Sequence, residues 1–496
     1  MKRSRSWNRK VNILTTLLSQ LVTMICGIIV PKLMLSAFGS SIYGLTVSIT
    51  QFLSYISLLE SGIGGVARAE LYRPLAAKDT SAISSIYKAV KKFYLWIGAA
   101  FVGYSIVLGL CYKSLAHITL YSGTFIFVLV FVIGISTLAK YAGGLANLTL
   151  ICADQKQYVN NAIMTITTIA NTIAIYVTIK AGYNIVAVKL ISSMIFVVRP
   201  IMYALYVHKH YTIEKNSNKQ AVLHQKRTGI GQHIAYFLHT NTDVALLTLF
   251  ADIRLVAVYS IYNMVVSNIR SIVTALSGGM EAAFGEMYAK GEDELLRHSY
   301  AKYQRLITAA SLVLFSCAGI LIVPFVRLYT SGITDANYIQ PVFSMILLIA
   351  ETINCLMLPS SSLPIATNRL KETRVGAYGE AAINILLSLV LINWNPLLGV
   401  AIGTVTATLF KSLYYTIDAE KNVFHRKPGK SIANMTKTYA ILLAMIVCGR
   451  VLLRYVEIIN YYVWFVCGVI TFAAAAAVAF LFMHPNATDH KLSKTA

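Results

Sequence analysis

Charge is what this sequence has least of. Asp, Glu, Lys and Arg together make up 13% of its 496 residues, about half the share usual in a water-soluble domain. Acidic residues are the scarcer kind, 20 against 43 basic ones. With 57% of the chain in the hydrophobic set, a water-facing surface cannot be assembled from the remainder, so an ordinary soluble enzyme is excluded. Clustered cysteine is also missing. Cys26, Cys111, Cys152, Cys317, Cys355, Cys448 and Cys467 are scattered through apolar stretches with no C-x-x-C pair, which implies neither a disulfide framework nor a zinc site. Long polar segments are absent too. No connection between apolar runs exceeds about 30 residues, leaving no room for a soluble catalytic domain.

What remains is apolar runs of helical length. A membrane-crossing helix uses about 20 mostly apolar residues, and fourteen such runs can be counted between Gly, Pro and charged breaks. They fall at 11–35, 42–63, 93–112, 120–142, 160–180, 185–207, 234–251, 256–280, 304–326, 340–362, 377–393, 397–416, 436–453 and 461–483. The expected fold is therefore all-α, a polytopic membrane protein of about fourteen transmembrane helices. The first run is too long for a cleaved signal and reads as a retained helix.

The basic residues set the expected orientation. Counted with the run ends that border them, the amino-terminal segment, every second connection and the carboxy-terminal tail hold 32 Lys and Arg, and the opposite side only seven. By the positive-inside rule this predicts both termini in the cytoplasm. It also accounts for the net charge of +23 through topology and anionic lipid headgroups, so no nucleic-acid partner is expected.

An offset of about 213 residues brings distant features into register. Phe38 and Gly39 fall near Phe250 and Ala251, Gly65 on Gly278, Asp79 on Glu292, Tyr87 on Tyr300, Lys92 on Arg305 and Asn171 on Asn384. The pattern predicts two parallel six-helix repeats with two appended helices. The expected boundaries are 1–210 for a first lobe of spans 1–6, 211–233 for a linker, 234–420 for a second lobe of spans 7–12, and 421–496 for spans 13 and 14 with the tail. Two such lobes are expected to enclose a cleft and to work by alternating access.

Ionisable residues inside apolar runs cost free energy and need a reason. Arg270 lies near the middle of its run, too deep to reach the interface, and reads either as lining a water-filled cleft or as half of a structural pair. Lys32 and Arg199 are further cations inside runs, each open to a snorkelling or topological explanation. With Arg270 they form the candidate substrate-binding set. Asp243, Glu60 and Glu351 form a candidate ion-coupling or gating set, because a carboxylate in a poorly hydrated site can exchange a proton near neutrality. Glu60 reads equally as a pairing residue beside Gly62, Gly64 and Gly65. The run His239-Thr240-Asn241-Thr242-Asp243 suggests a solvent-lined helix, or else a span that begins only after Asp243. Glu380 and Lys411 are also charged within runs.

Enzyme signatures are weak. Pro428-Gly429-Lys430-Ser431 lacks the upstream glycine of a phosphate loop and follows no strand, and His208-Lys209-His210 has no third ligand nearby. The protein is expected not to be an enzyme and to need no cofactor or metal. Uphill transport would then draw on a coupling ion, H⁺ or Na⁺, or on the gradient of the cargo.

The stretches Val30-Pro31-Lys32, Phe38-Gly39-Ser40, Tyr43-Gly44-Leu45, Leu59-Glu60-Ser61-Gly62-Ile63-Gly64 and Leu71-Tyr72-Arg73-Pro74-Leu75 resemble the opening of Wzx-type polysaccharide flippases. These belong to the multidrug/oligosaccharidyl-lipid/polysaccharide exporter superfamily, whose plan of 6 + 6 + 2 spans covers essentially the whole chain. The resemblance implies movement of an undecaprenyl-diphosphate-linked oligosaccharide from the inner to the outer leaflet of the bacterial plasma membrane. It implies as partners the glycosyltransferases and polymerase of surface polysaccharide synthesis. It also implies a cationic central cavity, for which Lys32 and Arg270 with Arg199 behind them are the matching positions, and an acidic position at Glu60. Within the same superfamily, a Na⁺- or H⁺-coupled multidrug antiporter and a lipid II flippase remain alternatives. A drug exporter needs net acidic groups at the cleft, whereas the deep candidates here include cations. A polytopic glycosyltransferase is a third reading, opposed by the short external connections.

Overall fold

The computed structural model describes residues 5–60, 63–214 and 230–483, and every regular element among them is helical. In chain order these are α1 (Arg5–Ser54), α2 (Ile63–Ala77), α3 (Thr80–Leu115), α4 (Gly123–Ala139), α5 (Leu145–Ala153), α6 (Gln157–Lys180), α7 (Ile185–His210), α8 (Ile230–Phe250) and α9 (Ile253–Ala275). There follow α10 (Met280–Ala289), α11 (Asp293–Tyr329), α12 (Pro341–Leu356), α13 (Leu358–Ala366), α14 (Arg374–Leu391), α15 (Pro396–Asp418), α16 (Gly429–Leu453) and α17 (Tyr461–Met483). A 3₁₀ turn at Tyr55–Glu60 extends α1, and π turns at Lys140–Gly144 and Ala419–Val423 follow α4 and α15.

Among the described residues, eleven stretches are long and apolar enough to cross a bilayer, or twelve if α12 and α13, bent by 40° at Met357, count as one span. The chain is a multi-pass membrane protein. Each of the fourteen runs read from the sequence lies on a helix, but three do not stand as separate spans. The first two share α1. Its fifty residues would extend about 75 Å if straight, more than twice the hydrocarbon thickness of about 30 Å. Gly39, at φ 77° and ψ 174°, breaks the helix there, a conformation that a side chain makes costly. The seventh run lies on α8, which is not among the eleven, and the tenth is the bent pair.

The polar run of the seventh stretch lies inside a helix. Helix α8 starts at Ile230 and stays helical through His239–Asp243 instead of beginning after Asp243. The polar run can be helical because its side chains are met: the Thr242 hydroxyl donates back to the Leu238 carbonyl, and Asp243 accepts from neighbouring helices. The stretch between the eighth and ninth runs is helical too, as α10 and the first turns of α11.

The 213-residue offset reappears in the backbone. Shifted by it, α3 falls on α11 and α5 on α13, while the π turn after α4 falls on the break between α12 and α13. Lys78 and Gly291, each two residues before the start of a long helix, are both left-handed (φ 56° and 71°), and so are Gln155 and Asn368 (φ 58° and 56°). Asn171 on α6 and Asn384 on α14 are both buried. These features share position and backbone geometry although most side chains differ.

The chain divides into two compact units, Met1–Phe237 with Leu247–Ala257, and Leu238–Leu246 with Val258–Ala496. In the first, α6 packs on α1 and α7, and α4 on α3 and α7, around Phe101, Leu129, Val130 and Tyr141, all 2% exposed or less. In the second, α15 packs closely against α14 and α12, while α16 and α17 lie on α11. There the Trp464 indole donates to the Leu321 carbonyl at 3.1 Å and Arg450 Nε to the Gly319 carbonyl at 2.7 Å. Large apolar side chains such as Trp96, Leu205, Val390 and Phe480 point outward, as expected where lipid replaces water.

Candidate functional site

The second unit carries a buried polar network contributed by five helices. Helix α8 supplies His239 and Asp243, one turn apart and therefore on one face. By the same spacing α14 supplies Glu380, Asn384 and Ser388, all fully buried. Helix α15 adds Thr404 and Lys411, α9 adds Tyr259 and Arg270, and α12 adds Glu351.

Asp243 sits among hydroxyls. The Tyr259 hydroxyl donates to its Oδ2 at 2.8 Å, and the Thr404 hydroxyl lies 3.1 Å from the same oxygen while accepting from the Asn384 amide at 2.9 Å. Lys411 Nζ donates to Glu380 Oε2 at 2.6 Å, and the other carboxylate oxygen is 3.5 Å from His239 Nε2. Arg270 Nη1 donates to Glu351 Oε1 at 2.8 Å, and the Asn354 amide to Glu351 Oε2 at 3.3 Å. Glu351 is nearly buried, whereas 31% of the Arg270 side chain is exposed. His239 Nδ1, Asn384 Oδ1 and Ser388 Oγ are buried without a hydrogen-bond partner among the described residues.

The three carboxyls of this network are held differently. Arg270 pairs with Glu351 and Lys411 with Glu380, while the third carboxyl, Asp243, is held among the described residues by the hydroxyls of Tyr259 and Thr404. Close approach of α14 and α15 permits this arrangement. A Cβ on Gly403 would overlap Ser388 Oγ and crowd the Asn384 carbonyl, and one on Gly399 would approach the Leu391 carbonyl carbon to 2.8 Å. The G-x-x-x-G of α15 thus lets α14 come close enough for Asn384 to reach Thr404.

The remaining sequence candidates lie in the first unit. Arg199, half-buried on α7, donates through Nε to Thr167 Oγ1 at 2.7 Å and through Nη2 to Thr168 Oγ1 at 2.9 Å, with its guanidinium 4.3 Å from the Phe196 ring centre. Glu60, at the end of the 3₁₀ turn, lies 3.6 Å from Lys140 on the π turn and leaves Oε2 buried without a hydrogen-bond partner among the described residues. Lys32 is half-buried on α1. The structure therefore brings Arg270, Glu351 and Asp243 into one unit, and Lys32, Glu60 and Arg199 into the other. Sequence reasoning missed Tyr259, Thr404 and Asn384. The spacing that carried Asn171 onto Asn384 was the one signal for any of them. Among the described residues no group of three or more His, Cys, Asp or Glu is arranged to hold a metal ion.

No protein-family model matches the chain, and no curated protein matches it in sequence. Solved structures do match in fold. The MATE multidrug transporter DinF-BH is 16% identical, with 86% of this chain and 99% of that one covered at a TM-score of 0.60. The lipid II flippase MurJ in an inward closed conformation is 11% identical, with 95% and 99% covered at 0.65. An inward-facing multidrug resistance MATE family transporter of the MOP superfamily is 13% identical, with 82% and 95% covered at 0.56. The chain shares the fold of these transporters.

Proposed function

We propose that this protein is a flippase that carries an undecaprenyl-diphosphate-linked oligosaccharide from the inner to the outer leaflet of a bacterial plasma membrane by alternating access, with both termini cytoplasmic. The observation that carries the reading is a partly exposed guanidinium inside a helix of each unit, Arg199 near the middle of α7 and Arg270 in the last third of α9. Guanidinium groups pair with phosphate in a bidentate geometry that suits a diphosphate headgroup, and a charge at that depth is retained only for a reason. A drug exporter for cations would gain nothing from them. The fold it shares with MurJ fits a lipid-linked cargo, and its fold likeness to MATE transporters keeps antiport as the competing reading.

In this reading Glu351 steers Arg270 toward the cargo, and Asp243 is the coupling group. Asp243 is the carboxyl left over when the network's cations are matched, so it is free to take up H⁺ or Na⁺ as the cycle proceeds.

The decisive experiment uses the full chain in liposomes, with a fluorescent undecaprenyl-diphosphate oligosaccharide on one leaflet and a membrane-impermeant quencher outside. Protein-dependent exchange between leaflets, competed by unlabelled lipid diphosphate, is the expected result. Transport of a cationic dye with no movement of the lipid would replace the proposal by antiport.

A further inference from the structure

The two repeats treat the same position differently. In the second unit the cation of α15 reaches across to α14 and meets Glu380, so Lys411 is neutralised at 2.6 Å. The residue 213 positions earlier than Glu380 is Thr167 on α6, and there too a cation reaches across from the next helix: Arg199 of α7, one register step from the counterpart of Lys411, donates to the Thr167 hydroxyl at 2.7 Å. The helix pair, the direction of reach and the receiving position correspond. The carboxylate does not.

Arg199 therefore keeps its charge. Thr167, Thr168 and the Phe196 ring brace the guanidinium without neutralising it, and no carboxylate lies against it among the described residues. Its Nη1, which carries two hydrogens, meets no acceptor among them. The residue stands fourteen positions into the 26-residue α7, about 21 Å from the helix start. That is near the middle of the helix, and well inside a membrane-crossing helix a lone cation is costly. The chain met this cost with a glutamate in one repeat and with a hydroxyl in the other.

We infer that Arg199, braced by Thr167 and Thr168, is an anion-receiving site whose counter-charge is a phosphate group of the diphosphate cargo. The assignment rests on the flippase reading above for the identity of the cargo, and adds to it which cation is left uncompensated to receive the headgroup. Arg270, by contrast, already has Glu351.

The test is binding of undecaprenyl diphosphate to the full chain in nanodiscs of neutral phosphatidylcholine, with phosphatidylglycerol and inorganic diphosphate as competitors. Arg199→Gln removes the charge. Thr167→Glu leaves the arginine in place and installs the partner that the other repeat has. Each should weaken binding roughly tenfold or more, as loss of a charge-assisted hydrogen bond does, while Arg199→Lys retains part of the affinity, and inorganic diphosphate should compete. Wild-type affinity in both Arg199→Gln and Thr167→Glu, with each variant as monodisperse as the parent, would overturn the assignment. So would displacement of the probe by phosphatidylglycerol at equal mole fraction, since the occupant would then be an ordinary lipid headgroup. The two readings fail separately. Binding through Arg199 without leaflet exchange in liposomes removes the flippase and keeps the anion site, whereas normal exchange by both variants removes the anion site and keeps the flippase.

Discussion

Single residues carry the chemistry here because a charge in an apolar helix has to be met by something. Lys411 and Glu380 meet each other, and neither can lose its partner cheaply. Glu380→Gln should leave the lysine uncompensated and destabilise the protein by about 3–5 kcal/mol, whereas Glu380→Gln combined with Lys411→Met should recover most of that loss. Thermal melting followed by size-exclusion elution checks this; single and double variants that melt together would mean that the pair contributes nothing. Asp243 makes the opposite prediction. Asp243→Asn keeps two of the hydroxyl contacts and the volume but cannot exchange a proton or bind a cation strongly, so the variant should remain folded and lose its response to collapse of the proton or sodium gradient. An unchanged response would dismiss Asp243 as the coupling group. At this scale the sequence was half legible. Arg270, Glu351 and Asp243 stood out singly, because charge in an apolar run is rare, but the Arg270–Glu351 pairing spans 81 positions and leaves no local trace. Tyr259 and Thr404 were invisible because such side chains sit in membrane helices at little cost, and Asn384 was marked only by its offset from Asn171.

Helices were legible wherever about 20 apolar residues had to be supplied in a row. Where that demand is relaxed the reading slipped. Helix α8 carries five consecutive polar residues and α1 holds two runs in one element, divided by a single glycine. Gly39→Ala should therefore cost about 1–3 kcal/mol, since positive φ with extended ψ is a conformation almost only glycine adopts; the same melting assay reads it. The contact between α14 and α15 is a second weak point. Gly403→Val would drive a branched side chain into Ser388 and the Asn384 carbonyl, with a cost of about 1–3 kcal/mol or more. Because Asn384 holds Thr404, the variant should also blunt gradient coupling. Folded Gly403→Val protein with normal coupling would show that this approach is not needed.

At the scale of the whole molecule, the division into units does not follow the chain simply. Residues 247–257 belong with the first unit although the segment before them, 238–246, belongs with the second. A break near residue 220 would strand residues 247–257 on the wrong fragment, so residues 1–220 expressed alone should be degraded and coexpression with 221–496 should restore both. Pulse-chase labelling distinguishes this from two halves that are stable independently. The expected linker at 211–233 lies largely outside the described residues. The doubled architecture was legible through a handful of matched residues at one offset, and the backbone carries the same offset more clearly than the side chains do.

That persistence in the backbone has a consequence for ancestry. Gln155 and Asn368 differ in side chain, yet each turns the chain in the same left-handed sense between the same two helices. A duplicated unit would explain joints that match in backbone while the amino acids in them differ. The two halves meet a cation inside a helix differently, Lys411 with a glutamate and Arg199 with a hydroxyl.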